Sequence, residues 1–114
     1  MKVPGAVTHA ARAALDKKAA EVVVLDLRKQ AAFTDFFVLA SAANQKQLLA
    51  IADAVQETLR EKGLRPKHVE GYPRHEWVLL DYSGFVVHIF TQKMRLFYDL
   101  ERLWGGAVRM EITA

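Results

Sequence analysis

Without cysteine, the chemistry open to this chain falls to carboxylates, histidines and hydroxyls, and their spacing decides what they can do. Two carboxylates one residue apart on a strand point the same way and can share a magnesium ion. Asp99 and Glu101 are so spaced. They fall in a segment with helical periodicity, where positions i and i+2 diverge. The histidines are His9, His68, His75 and His88, and no two stand at i, i+4. With no cysteine beside them, they offer no metal site. Ser41 and Ser83 lack the strand–turn–helix setting of a nucleophile. The glycines are scattered apart from Gly105–Gly106, so no loop is built to cradle a phosphate. Asp26, Asp35, Glu70 and Asp81 stand at expected strand ends or turns, where acids cap turns or pair with arginine. The expectation is a protein that is not an enzyme, with no cofactor and no metal.

Elements that would hold these residues follow from periodicity. Residues 8–19 read as an Ala-rich helix capped by Thr8. "EVVVLDLR" (21–28) and "FFVLAS" (36–41) are apolar without alternation, as strands covered on both faces are. Residues 44–62 read as a helix. Asn44 caps it, Leu48, Ile51, Ala52, Val55 and Leu59 line one side, and Gly63 ends it. Residues 65–71 read as a short strand, followed by the loop "GYPR".

"EWVLLDYSGFVVHIF" (76–90) reads as a hairpin apolar on both faces. A two-residue loop at Tyr82–Ser83 pairs Asp81 with Gly84, Leu79 with Val86 and Trp77 with His88. A three-residue loop with a bulge at Gly84 would shift that pairing. One face then carries Trp77, Leu79, Val86, His88 and Phe90, and the other Val78, Leu80, Phe85, Val87 and Ile89. The second set is purely aliphatic and aromatic and is assigned to a helix layer. Residues 92–106 read as one last helix, with Phe97, Leu100, Leu103 and Trp104 inward and Arg95, Tyr98 and Arg102 off that stripe. Residues 108–112 alternate and suit a short edge strand. The expected fold is α/β: a single domain over residues 1–114, with a mixed five-stranded sheet and helices on one or both faces.

An order of this kind resembles small nucleotidyltransferases, but their strand-borne metal-binding acids are missing. With 114 residues, the chain can build one core without staples. No apolar run exceeds five residues, which excludes a membrane helix of about twenty. The expectation is a soluble cytoplasmic protein. A net charge of +3 is compatible with work near nucleic acid but too weak to argue for direct binding.

The string "EGYPRHEWVLLDYSGFVVHIFTQKMRLFYDLERLW" resembles the ribosomal silencing factors, or Iojap-like proteins. The residues that carry the resemblance are Glu70, Gly71, Trp77, Asp81, Val87, His88, Phe90, Arg95, Tyr98, Leu100, Glu101, Leu103 and Trp104. Upstream, Asp26, Leu27, Thr34, Asp35, Phe37 and Val38 also match, as does "QKQLLAIADAV" in the central helix. The segment "AANQKQ" is richer in Ala than the turn usual there, and residues 107–114 carry no matching motif.

The resemblance implies a translation repressor that binds the large ribosomal subunit. It would dock on the ribosomal protein numbered fourteen in the large-subunit series, at the subunit-joining face, and sterically block association. It also implies homodimers in the free state and a sheet like that of nucleotidyltransferases without their catalytic acids. The competing expectation is an RNA-binding or large-subunit assembly factor. Lys62, Arg65, Lys67 and Arg74 cluster in one stretch and are candidate contacts to ribosomal RNA on either reading.

Aromatic residues and arginine dominate binding hot spots. The candidate partner-binding surface is therefore Trp77, Leu79, His88 and Phe90 on the sheet, flanked by Arg95 and Tyr98. Phe97, Leu100 and Trp104 are expected in the core, and Asp81 is expected to fix the hairpin turn.

Overall fold

The computed structural model describes residues 2–72 and 76–113. The elements are α1 (Gly5–Asp16), β1 (Ala20–Asp26), β2 (Phe36–Ala42), α2 (Gln45–Glu61), β3 (His68–Glu70), β4 (Trp77–Asp81), β5 (Phe85–Thr91), α3 (Gln92–Tyr98), α4 (Leu100–Leu103) and β6 (Val108–Glu111). One sheet runs in the order β3-β4-β5-β2-β1-β6. It is α/β and mixed, as expected, but has six strands rather than five, because residues 108–111 pair antiparallel with β1. Only the central pair, β2 and β5, is parallel. Every residue of those two strands is buried, which explains their apolar runs.

Helices α1 and α2 cover one face. Val22, Val24, Phe36, Val38 and Ala40 join Val78, Leu80, Phe85, Val87 and Ile89 beneath them. The second set of hairpin residues thus meets the helix layer, as assigned from sequence. Leu48, Ile51, Ala52, Val55 and Leu59 of α2 are all buried. Asn44 caps that helix by accepting from the Gln47 amide at 2.8 Å. Gln47 reaches back to the Ala43 amide and donates to the carbonyls of Lys17 and Lys18, tying the start of α2 to the end of α1. Gly63, at φ +81°, terminates it in the left-handed region. Thr8 does not cap α1. The helix begins earlier, at Pro4, whose carbonyl accepts from Val7 and Thr8.

The hairpin register differs from expectation by one step of the turn. Tyr82 donates to the Phe85 carbonyl, so Ser83 and Gly84 form the loop. Moving a turn by one residue moves the pairing by two. Trp77 therefore faces Phe90, Leu79 faces His88 and Asp81 faces Val86. A shift of two preserves side-chain parity, so both faces keep their expected members. Ser83 takes the left-handed conformation (φ +73°), and Asp81 accepts from its amide at 2.8 Å, fixing the turn.

The last helix is not continuous. Asp99 is left-handed (φ +45°) and splits it into α3 and α4. It ends α3, and its side chain accepts from the Arg102 amide to begin α4. The break rotates the expected inward stripe. Leu100 and Trp104 still pack on the second face of the sheet, but Phe97 and Leu103 turn outward, 74% and 70% exposed. Arg95, expected off the stripe, is buried.

Candidate docking surface

The second face of the sheet is covered only in part. Val23, Leu25, Phe37, Leu39, Val86 and Phe90 lie beneath Leu27, Met94, Leu100 and Trp104, while Trp77 and Leu79 stay half-exposed at its edge. Between β4 and α3 this leaves an open groove of about 500 Å³, lined by Glu70, Gly71, Glu76, Trp77, Leu79, Met94 and Tyr98.

Trp77 is fixed from below. Its Nε1–H donates to His88 Nδ1 at 3.1 Å. The indole stacks on Phe90 with ring centres 5.1 Å apart and 24° between planes, and its outer side meets Tyr98 at 4.4 Å. His88 is buried, and burial pushes its pKa down to about 3. A neutral ring that accepts at Nδ1 carries its proton on Nε2. That buried atom has no hydrogen-bond partner among the described residues, while the ring meets Phe37 edge-on at 4.5 Å.

Arg95 holds α3 onto the sheet. A bulge in β1 places Glu21 at φ +49°, and Arg95 Nη1 donates to the Glu21 carbonyl at 2.8 Å and to Ser41 Oγ at 2.9 Å. Its Nε donates to Glu101 Oε1 at 3.0 Å, and Arg109 donates twice to Glu101 Oε2. Partial burial pushes the Glu101 carboxyl up, but the hydrogen bonds and charges of Arg95 and Arg109 outweigh it and hold the pKa below the usual range. One carboxylate thus joins α3, α4 and β6.

Gly71 lets the strand β3 side of the groove close on β4. It sits at φ +98°, and a Cβ there would lie 2.0 Å from the Trp77 carbonyl oxygen.

Of the six candidate residues, Trp77, Leu79 and Tyr98 reach the surface at the groove. His88, Phe90 and Arg95 lie beneath, each no more than 5% exposed, and act on the surface through Trp77 and α3. Leu96, Phe97 and Leu103 form an exposed apolar patch that sequence periodicity assigned inward or passed over. With Tyr98, Asp99 and Arg102 they line one shallow depression, and Tyr98 joins it to the groove. The signal for it was Asp99 followed by Leu-Glu, a helix N-cap inside an apparent helix. Lys62, Arg65 and Lys67 are exposed between α2 and β3, and Arg74 lies outside the described residues. The described residues hold no cluster of three or more acids, histidines or cysteines placed to bind a metal, and no helix long and apolar enough to cross a membrane.

The family described as "Ribosomal silencing factor during starvation" matches residues 1–114. The chain belongs to this family. Ribosomal silencing factor RsfS of Halalkalibacterium halodurans is 39% identical over 97 residues, covering 85% of this chain and 83% of the relative. Protein Iojap of Arabidopsis thaliana chloroplasts is 31% identical over 102 residues, 90% of this chain and 42% of that protein. A crystal structure of a Chromobacterium violaceum protein superposes with a TM-score of 0.87 at 31% identity, covering all of this chain and 95% of the other. Membership of this family associates the chain with silencing at the ribosome.

Proposed function

We propose that the protein represses translation by docking on the large ribosomal subunit. Its partner there is the ribosomal protein numbered fourteen in the large-subunit series, at the face where the small subunit joins. The carrying observation is the groove at Trp77, Leu79 and Tyr98, continuous with exposed Leu96, Phe97 and Leu103. Exposed apolar surface of that extent on a small protein is the mark of an interaction site. The repression is steric. A body 35 × 33 × 27 Å, seated on the joining face, holds the subunits apart with no chemical step.

Subunit joining followed by sedimentation tests this. Excess protein should leave separated subunits where untreated subunits form full particles, and undiminished joining overturns the reading. The second reading, an RNA-binding or assembly factor, is favoured by exposed Lys62, Arg65 and Lys67. It predicts tight binding to naked ribosomal RNA with a steep salt dependence, whereas docking predicts binding to the isolated ribosomal protein.

A further inference from the structure

We propose that the groove between β4 and α3 is a socket for an arginine side chain of the protein partner. The inference rests on the docking reading and names the chemistry at its centre. Among the described residues that line the groove, the charged ones are Glu70 and Glu76, and none is basic. Among the described residues, that makes a local acidic site on a chain of net charge +3. The charged atoms it offers among the described residues are thus carboxylate oxygens, which accept and do not donate.

Trp77 Nε1–H is spent on His88 Nδ1, so the indole offers no donor and enters the groove as part of its aromatic wall. Tyr98 extends that aromatic wall, and Met94 and Leu79 supply the apolar remainder. An aromatic face beside carboxylates attracts a cation through the ring quadrupole and through charge-assisted hydrogen bonds. A guanidinium meets both demands at once. Its plane can lie against an aromatic wall while its N–H groups point outward to carboxylates, a geometry a lysine ammonium does not share. A cavity of about 500 Å³ is within the range of small-ligand clefts and admits the whole side chain. The two acids are held in place: Glu76 Oε1 accepts from Thr91 Oγ1 at 3.1 Å, and Glu70 Oε1 lies 2.9 Å from His68 Nε2. Both are exposed, so Gln at either position leaves the core untouched.

The test has two arms. In the first, the free protein is titrated with N-acetyl-arginine methylamide, with the citrulline analogue (the same shape without charge) and with the lysine analogue, watching the Trp77 indole N–H by NMR. The expected result is a saturable shift with the arginine compound alone. No shift, or equal shifts from the citrulline or lysine compound, overturns the proposal. In the second, wild type and the double variant E70Q/E76Q are pelleted with large subunits, after matching amide spectra show that both fold. The double variant should bind roughly tenfold more weakly, the scale of one good cationic contact. Equal binding by wild type and variant overturns the arginine socket and leaves docking standing. Failure of the wild type itself to bind removes the docking reading, and the first arm then decides the socket alone.

Discussion

At the scale of single residues, the Trp77–His88 pair does most to shape the surface. His88 is an apolar-strand histidine that the fold keeps neutral, and its one described hydrogen bond orients the indole above it. Trp77→Phe removes the donor and strands a buried acceptor. It should cost about 1–3 kcal/mol in urea unfolding while leaving the amide spectrum of the far helices unchanged. The histidine also gives a pH dependence of known sign. Its folded pKa is lowered to about 3, whereas the unfolded value is near 6.5. Below pH 6.5 the unfolded chain takes up a proton that the folded chain refuses. Stability is therefore full above that pH and falls as pH drops toward 3, by at most about 1.4 kcal/mol per pH unit. Asp26, its pKa lowered chiefly by its Arg28 hydrogen bond, and Glu101 lose their stabilisation only at more acid pH, below the ordinary carboxylate range. His88→Phe should therefore flatten the fall of the urea midpoint between pH 6.5 and 5. From the sequence, His88 could be placed on a face with Trp77. Its tautomer could not, because that depends on which neighbour reaches Nδ1.

At the scale of elements, two backbone features set the groove. Gly71 is one. Alanine there must both hold φ near +98° and fit a Cβ 2.0 Å from the Trp77 oxygen. Gly71→Ala should cost 3 kcal/mol or more, on the order of the larger single-residue effects, and should shift the Trp77 indole resonance. Asp99 is the other. Its left-handed turn releases Phe97 and Leu103 from the core and starts α4 with a side-chain cap. Asp99→Ala keeps the backbone strain and loses the cap, so the α4 amides should exchange with solvent faster, by about 1–2 kcal/mol of local stability. Periodicity alone predicted one helix here, because positions 97, 100 and 104 fit a single stripe. The break is a tertiary compromise. Arg95 and Glu101 must meet each other while Arg95 also reaches the β1 bulge and Ser41. By contrast α2 was legible in full, since its cap, its stripe and its terminal glycine all agree with its packing.

At the scale of the whole molecule, the sheet is dressed unequally. Two long helices bury one face, and two short ones with the adjoining loops bury the other incompletely. On the docking reading, the uncovered edge is the surface offered to the partner. Phe97→Asp and Leu103→Asp place charge on exposed positions and should leave the melting temperature nearly unchanged. On the docking reading, the same changes should weaken large-subunit binding by tenfold or more in pelleting, since hot-spot contacts of this kind carry about 1–2 kcal/mol or more each. Unchanged binding in both would move the interface away from α3–α4.

The α/β class, the buried central strands, the helix α2 and the membership of each hairpin face were legible in the residues alone. These follow from local periodicity and from parity, which survives a shifted register. The sequence also carried the motifs that mark the family. The tertiary structure decided that residues 108–111 complete a sixth strand, that the turn centres on Ser83–Gly84, and that Arg95 goes inside while Phe97 stays out. Each of those depends on contacts between residues distant in the chain: Met110 beside Val24, Arg95 on the Glu21 carbonyl, Trp77 over Phe90. Such contacts leave no period in the sequence, because the partner that satisfies each group lies on another element.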